Sequence, residues 1–374
     1  MIFVYSVAIT SIGIILILYV LVNLKTIKQL KAQPIVSEPP SLAIIVAVRN
    51  EEEDVEKALQ SLCNINYSNH RIIVVNDRST DRTGEILSRF NHPHLQVITL
   101  TDLPDGWLGK NNALYQGYKN STEEWMLFTD ADVKFHPDAI NKAVGYAEKQ
   151  ELAHLCVLPD VSSRSEILNG VLATFSIMLL MFTRPWDARN PKRSGSIGVG
   201  AFNLVKRTAY EAAGTHVKIK LRPDDDLKLG QNIKGAGLRQ DVLGGEGYIW
   251  LEWYKNIGQF INGLMKNTFA VRDYNIILSV ADFLGTLFAI ALPIPIMLIF
   301  GGNDIRIMAG LLWIMQLIYM IAVPPNKWWY ALITPLAGLL MAFIIARSAY
   351  LTLKQGGIYW RDTFYSLAAL KGKE

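Results

Sequence analysis

The sequence predicts an α/β protein, a mostly parallel sheet flanked by helices, joined to apolar helices that enter a membrane. Three observations carry this expectation. Continuous apolar runs of strand length, such as Leu42-Ala43-Ile44-Ile45-Val46-Ala47-Val48, alternate with segments of helical spacing. Each of the three clearest strand runs is followed at once by polar or acidic residues. The 374 residues are 51% hydrophobic with a mean hydropathy of +0.20, and the surplus is gathered into a few long blocks instead of being spread through a soluble core.

In chain order, residues 2–24 form an almost uncharged run long enough to cross a bilayer, and Lys25, Lys28 and Lys31 follow it. The basic residues come after the apolar run and no small-residue cleavage site is evident, so residues 1–24 read as an uncleaved anchor with the following region on the cytoplasmic side. A Pro-containing linker, residues 33–40, leads to strands at 42–48, 71–75, 95–98 and 125–128, with helices at 52–63 and 83–90 between them. Ligands of such sheets bind beyond the carboxyl ends of the strands. Residues 167–182 are apolar but short and precede Arg184, Arg189, Lys192 and Arg193, the pattern of a helix lying in the membrane interface; a buried core helix is the alternative. Three further apolar blocks fill residues 276–353, with Trp328, Trp329 and Tyr330 where interfacial aromatics sit. Asp282 and Pro293-Ile294-Pro295 interrupt the first block, so it is expected to be broken or re-entrant. One incomplete crossing also reconciles the charge rule with the basic tail, residues 354–374, which carries Lys354, Arg361, Lys371 and Lys373. The expected organisation is thus an anchor (1–24), a cytoplasmic α/β domain (41–272), a membrane region (276–353) and the tail. Two cysteines, Cys63 and Cys156, exclude a disulfide framework and a cysteine zinc site. The net charge of +4 suits anionic headgroups, and no basic-aromatic platform points to nucleic acid.

The chemistry is concentrated behind the strands. Thr129-Asp130-Ala131-Asp132 comes directly after an apolar run, and two carboxylates one residue apart can hold Mg²⁺ or Mn²⁺ against a phosphate. Arg49-Asn50-Glu51-Glu52 and Asn76-Asp77-Arg78-Ser79-Thr80-Asp81-Arg82-Thr83 come after two other strands. Helix capping accounts for any one of these alone, and Asp81 reads as such a cap. Three polar loops converging on one edge point to a binding site. The run Asp224-Asp225-Asp226 packs three carboxylates together, which raises the pKa of at least one and suits a general base; an acidic N-terminus for a helix starting near Leu227 is compatible with this.

These residues, together with Ala47-Val48-Arg49-Asn50-Glu51, Gly109-Lys110-Asn111-Asn112-Ala113-Leu114 and Asp225-Asp226-Leu227-Lys228-Leu229-Gly230, resemble the family 2 glycosyltransferases of GT-A fold over about residues 41–240. Ala47 stands where the family often has Pro. The resemblance implies that Ala47, Arg49, Glu51 and Asp77 grip the nucleoside, and that Lys110 lies near the nucleotide. It further implies that Asp130 lies near ribose and metal, that Asp132 ligates the metal, and that Asp226 is the base with Asp225 in the preceding acidic position. Gly198-Val199-Gly200-Ala201-Phe202-Asn203-Leu204, before Arg207 and Tyr210, resembles the acceptor-side loop. The Gln-x-x-Arg-Trp string of processive polysaccharide synthases is absent. Trp253-Tyr254-Lys255, Gly263-Leu264-Met265-Lys266-Asn267 and Gly357-Ile358-Tyr359-Trp360-Arg361-Asp362-Thr363 resemble membrane-bound transferases associated with hopanoids and carotenoid acids. The activity implied by the resemblance is an inverting transfer of a hexose, glucose, from a UDP-sugar to a hydroxyl or carboxyl on a lipid, by a multi-pass enzyme of the cell membrane with a cytoplasmic catalytic domain. The alternatives are a polysaccharide or polyprenyl-phosphate transferase and an inactive nucleotide-binding membrane protein.

Overall fold

The structure is a computed structural model that describes residues 1–360 and 363–372. Arg361, Asp362 and Lys373 lie outside the described residues. The chain divides into two compact units, one of Ile27–Ser162 with Thr183–Trp253, the other of Met1–Thr26, Ser163–Phe182 and the chain from Tyr254 onward.

The first unit is built on an eight-stranded sheet. Its strands are β1 (Lys28–Gln29), β2 (Leu42–Val48), β3 (His70–Asp77), β4 (Leu95–Leu100) and β5 (Trp125–Asp130), then β7 (His154–Leu158), β9 (Asn203–Lys206) and β10 (Gln240–Gly244), in the order β1-β10-β7-β9-β5-β2-β3-β4. A second sheet of β6 (Lys134–Phe135), β11 (Ile249–Glu252) and β8 (Asp160–Ser162) lies in the same unit. All neighbours in the large sheet are parallel except β9, which is antiparallel to both β5 and β7. The four strands read from the sequence are the consecutive β2 to β5. Strand β2 sits between β3 and β5 and is buried on both faces, with Ile44 and Val46 in one apolar cluster and Ala43 and Ile45 in the other, so every side chain of the run must be apolar. Helix Val55–Cys63 buries Val55, Ala58, Leu59 and Leu62 at helical spacing and places Val55, Leu59 and Leu62 in the first cluster. Helix Gly109–Lys119 packs on the opposite face, so closely that a Cβ on Gly117 would lie 2.3 Å from Ile45 Cγ2.

The segment after the anchor is bound to this unit. Lys28 and Gln29 pair with Leu243 and Gly244 as an edge strand, and the Lys28 ammonium lies 5.1 Å from the Tyr146 ring centroid. Lys142 Nζ donates to the carbonyls of Lys31 and Gln33 at 3.0 and 2.6 Å, and the Val36 N–H donates to Asn141 Oδ1 at 2.7 Å. The Pro-containing stretch therefore has side-chain and backbone partners along helix Ala139–Lys149.

The second unit holds the apolar helices Ile2–Leu24, Glu166–Thr183, Asn303–Ala322 and Tyr330–Gln355, each long and apolar enough to cross a membrane among the described residues. Helix Ile276–Thr286 runs on through a π-helical stretch, Leu287–Ala291, and the whole is bent by 51° against helix Pro293–Phe300, with the break at Leu292 just before Pro293. Asp282, the charge inside this block, is held by Arg272 in a two-point ion pair, Nε to Oδ2 and Nη2 to Oδ1 both at 2.5 Å. Strands β12 (Gly357–Trp360) and β13 (Thr363–Ser366) are antiparallel, and the Lys266 ammonium stands 3.7 Å from the Trp360 ring centroid.

Gly117→Ala should lower stability by about 1–2 kcal/mol despite the better helix propensity of Ala, because the added methyl has no room. Gly235→Ala, where nothing lies within 4 Å of the new methyl, should be neutral or slightly stabilising. Thermal unfolding of the detergent-solubilised protein followed by tryptophan fluorescence compares the two.

Candidate active site

The carboxyl ends of β2, β3 and β5 lie side by side, with Ala47 opposite Val75 on one side and Asp130 on the other. The loops after β2 and β3 are tied together. The Asn50 N–H donates to Ser79 Oγ at 3.1 Å, the Thr80 N–H donates to Asn50 Oδ1 at 2.8 Å, and the Glu51 N–H donates to Thr83 Oγ1 at 2.8 Å. Asn50 and Arg78 both have φ of 55°, the left-handed conformation that turns each loop back on its strand. Asp81 is not the N-cap of helix Thr83–Ser88, whose cap is Arg82. It accepts from the N–H groups of Thr83 and Glu52 at 3.0 and 3.2 Å, so it joins the loops as well as opening the helix. Asp77 is buried and accepts from Arg78 Nε and Nη2 at 2.8 and 3.2 Å, with Arg49 Nη1 at 3.7 Å. Arg49 and Asp77, named separately from the sequence, thus form one charged cluster.

A second cluster occupies a small cavity whose lining includes Lys110, Asp130, Gly200, Asp225, Asp226 and His216. Lys110 Nζ lies 2.7 Å from Asp130 Oδ1 and 3.7 Å from Asp225 Oδ1. Desolvation opposes the Lys110 charge, but Asp130, Asp225 and Asp226 outweigh it and raise its pKa. Helix Asp225–Gly235 begins at Asp225, two residues earlier than the sequence suggests. Asp224, at the N-cap, makes no capping bond with its side chain, which is instead held by Arg222 through two contacts of 2.8 Å. Asp226 accepts from the Gly200 N–H through Oδ2 and from the adjacent Leu227 N–H through Oδ1, both at 2.8 Å. Burial raises the pKa of both Asp225 and Asp226 despite the opposing effect of Lys110.

Backbone proximity fixes this arrangement. A Cβ on Gly198 would lie 1.8 Å from the Asp226 carbonyl oxygen, so only glycine lets that loop lie flush on the start of the helix. Gln240 accepts from the Ile197 N–H and donates to the Gly230 carbonyl, both at 2.9 Å, closing loop and helix from beneath. Asn111 Nδ2 donates to the carbonyls of Ile219 and Arg222 at 2.9 Å, which ties the helix bearing Lys110 to the segment entering the acidic run. Asn111 sits inside a motif singled out in the sequence. Gln240 and His216 carry no local signal, because the partners of Gln240 are 10 and 43 positions away and His216 belongs to a separate turn.

Asp132 stands apart from the Lys110 cluster. Burial first, then the carboxylates of Asp130 and Glu51, push its pKa up to about 7. Among the described residues no group of three or more His, Cys, Asp or Glu side chains is arranged to hold a metal ion. Mg²⁺ and Mn²⁺ are commonly held by one or two carboxylates, with phosphate and water completing the shell, so Asp130 and Asp132, both oxygen donors with excess negative charge around them, fit such an ion.

Residues 43–214 match Glycosyl transferase family 2; the match ends before Asp225. Two 4,4'-diaponeurosporenoate glycosyltransferases from strains of Staphylococcus aureus are 26% identical to this chain, one over 69% of the chain and 71% of its own length, the other over 61% and 60%. The mannosyltransferase PcManGT from Pyrobaculum calidifontis, solved with GDP-Man and Mn²⁺, superposes with a TM-score of 0.59 at 17% identity, covering 95% of this chain and 99% of that one. The fold is therefore GT-A. Residues 43–214 are a family 2 glycosyltransferase domain, and the chain that carries it is a glycosyltransferase.

Gly198→Ala should cut sugar transfer by about 10²-fold or more while the protein stays folded, because it displaces the Asp226 backbone by a sizeable fraction of an ångström or more; activity assays beside an unfolding curve check both parts. His154 beneath the site is fully buried and bonded to Asn203 Oδ1, and burial lowers its pKa to about 4 from an ordinary 6.5. Unfolding therefore takes up a proton between those values, and the stability contributed by the neutral imidazole is present above pH 6.5 and lost as pH falls to about 4. The stability difference between wild type and His154→Gln, measured by denaturant titration at several pH values, should shrink across that window.

Proposed function

We propose that this protein transfers a hexose, glucose, with inversion from a UDP-sugar to a hydroxyl or carboxyl group of a membrane lipid. The observation that carries the reading is the Asp226 carboxylate, fixed by two backbone N–H groups in a cavity that also holds Lys110 and Asp130. In this reading Asp226 takes the acceptor proton as oxygen attacks the anomeric carbon, and its raised pKa makes it a stronger base. Asp225 keeps the cavity negative beside it. Arg49, Glu51, Asp77 and the backbone at Ala47 contact the nucleoside, and Lys110 stabilises the phosphates. Asp130 and Asp132 would hold Mg²⁺ or Mn²⁺, which neutralises charge on the leaving diphosphate.

The lipid acceptor is supported by the apolar helices and by the carotenoid acid in the names of the Staphylococcus aureus relatives. Helix Glu166–Thr183 lies between β8 and β9 of one unit, so a single full crossing there would separate strands of that unit; an in-plane helix avoids this. The proposed location is the cell membrane, with the catalytic domain on the cytoplasmic face.

Membranes containing the protein, given labelled UDP-glucose, Mn²⁺ and a total bacterial lipid extract, should yield a glycosylated lipid detectable by mass spectrometry, and Asp132→Ala should abolish it. Asp226→Asn should cost about 10²-fold or more if the acceptor is an alcohol, and far less if it is a carboxylate or a polyprenyl phosphate, which is already an anion. Label in a water-soluble polymer would refute the lipid reading, and binding of nucleotide sugars with no transfer to any acceptor would refute the enzymatic assignment of these residues.

A further inference from the structure

His216 is 1% exposed and lines the same cavity as Lys110, Asp225 and Asp226. Its ring packs edge-on to Phe128, with centroids 5.0 Å apart. The Tyr210 hydroxyl accepts from the His216 backbone N–H at 3.0 Å and lies 2.6 Å from His216 Nδ1. Tyr210 is fully buried, so its own proton needs an acceptor, and Nδ1 is the one at hand. Nδ1 is thereby unprotonated, and the proton of the neutral ring sits on Nε2. Burial first, and then Lys110, lowers the pKa of the ring to about 3, so it stays neutral through the physiological range. No protein acceptor for Nε2–H is found among the described residues.

The cavity thus offers one fixed, uncharged donor beside several carboxylate acceptors. A hydroxyl group can accept from Nε2–H and donate to a carboxylate at once. We propose that His216 is a specificity residue whose Nε2–H donates to one hydroxyl oxygen of the transferred sugar, and that Tyr210 is the positioning residue that sets its tautomer. This rests on the nucleotide-sugar reading of the site.

Isothermal titration of the full-length protein in detergent with Mn²⁺ separates the two ideas. The wild type is first titrated with UDP and GDP; binding of neither overturns the nucleotide reading and this proposal with it. His216→Phe, His216→Gln and Tyr210→Phe are then compared with the wild type on the nucleotide that binds, on its glucose or mannose conjugate, and on the 2-, 3-, 4- and 6-deoxy analogues. Nucleotide affinity should be unchanged in every variant. The conjugate should bind about three- to tenfold more weakly to His216→Phe, less so to His216→Gln, whose amide supplies a donor, and Tyr210→Phe should show a loss in the same direction. One deoxy analogue should bind wild type and His216→Phe alike, which identifies the partner hydroxyl. Equal weakening of nucleotide and conjugate, or no weakening of the conjugate, would overturn the proposal; His216→Gln and Tyr210→Phe decide the matter if His216→Phe does not fold.

Discussion

The arrangement of the site depends on a charge imbalance that the fold is obliged to contain. Asp130, Asp225 and Asp226 act on a single ammonium, Lys110, and one cation cannot balance three carboxylates crowded around it, of which Asp225 is buried. Burial raises the pKa of Asp225 and Asp226, the neighbouring carboxylates add to the rise, and the arrangement is tolerated because each group is held by something rigid. Asp130 ends a buried strand, Asp226 is fixed by two N–H groups, and Lys110 rides on a helix tied to the acidic segment by Asn111. The flush contact of Gly198 with Asp226 and the Gln240 bridge belong to the same containment, since a loop that drifted would let water in and relax the electrostatics.

Much of the parallel sheet is legible in the residues, because a strand buried on both faces tolerates only apolar side chains, and β2, β3 and β5 stand out in that way. Strand β9 does not. Its four residues are antiparallel between β5 and β7, and Asn203 within it serves the buried His154 instead of continuing an apolar run. The edge strand β1 is hidden for a related reason, since two residues carry no periodicity and Lys28 reads as a charge flanking a membrane helix.

The same division applies to the site. Residues directly behind strands can be named, since position at the carboxyl edge and residue type suffice. The pairing of Arg49 with Asp77, the diversion of Asp224 to Arg222 and the place of His216 beside Lys110 require coordinates. Each joins segments whose separation in sequence carries no signal, or chooses between neighbours of identical chemistry. In the membrane-type unit, the interruption at Pro293 is visible because proline removes a donor, whereas the partner that makes Asp282 tolerable, Arg272, lies outside the apolar block.

The two loops stitched by Asn50 have a genetic consequence. Asn50 supplies partners to Ser79 and Thr80, and Glu52 and Asp81 answer each other across the same gap. A substitution at one position strands polar groups in the other loop, so its effect is conditioned by residues about thirty positions away. The loops are one heritable module. Drift in either is confined until the other changes with it, and a graft from a relative would have to carry both.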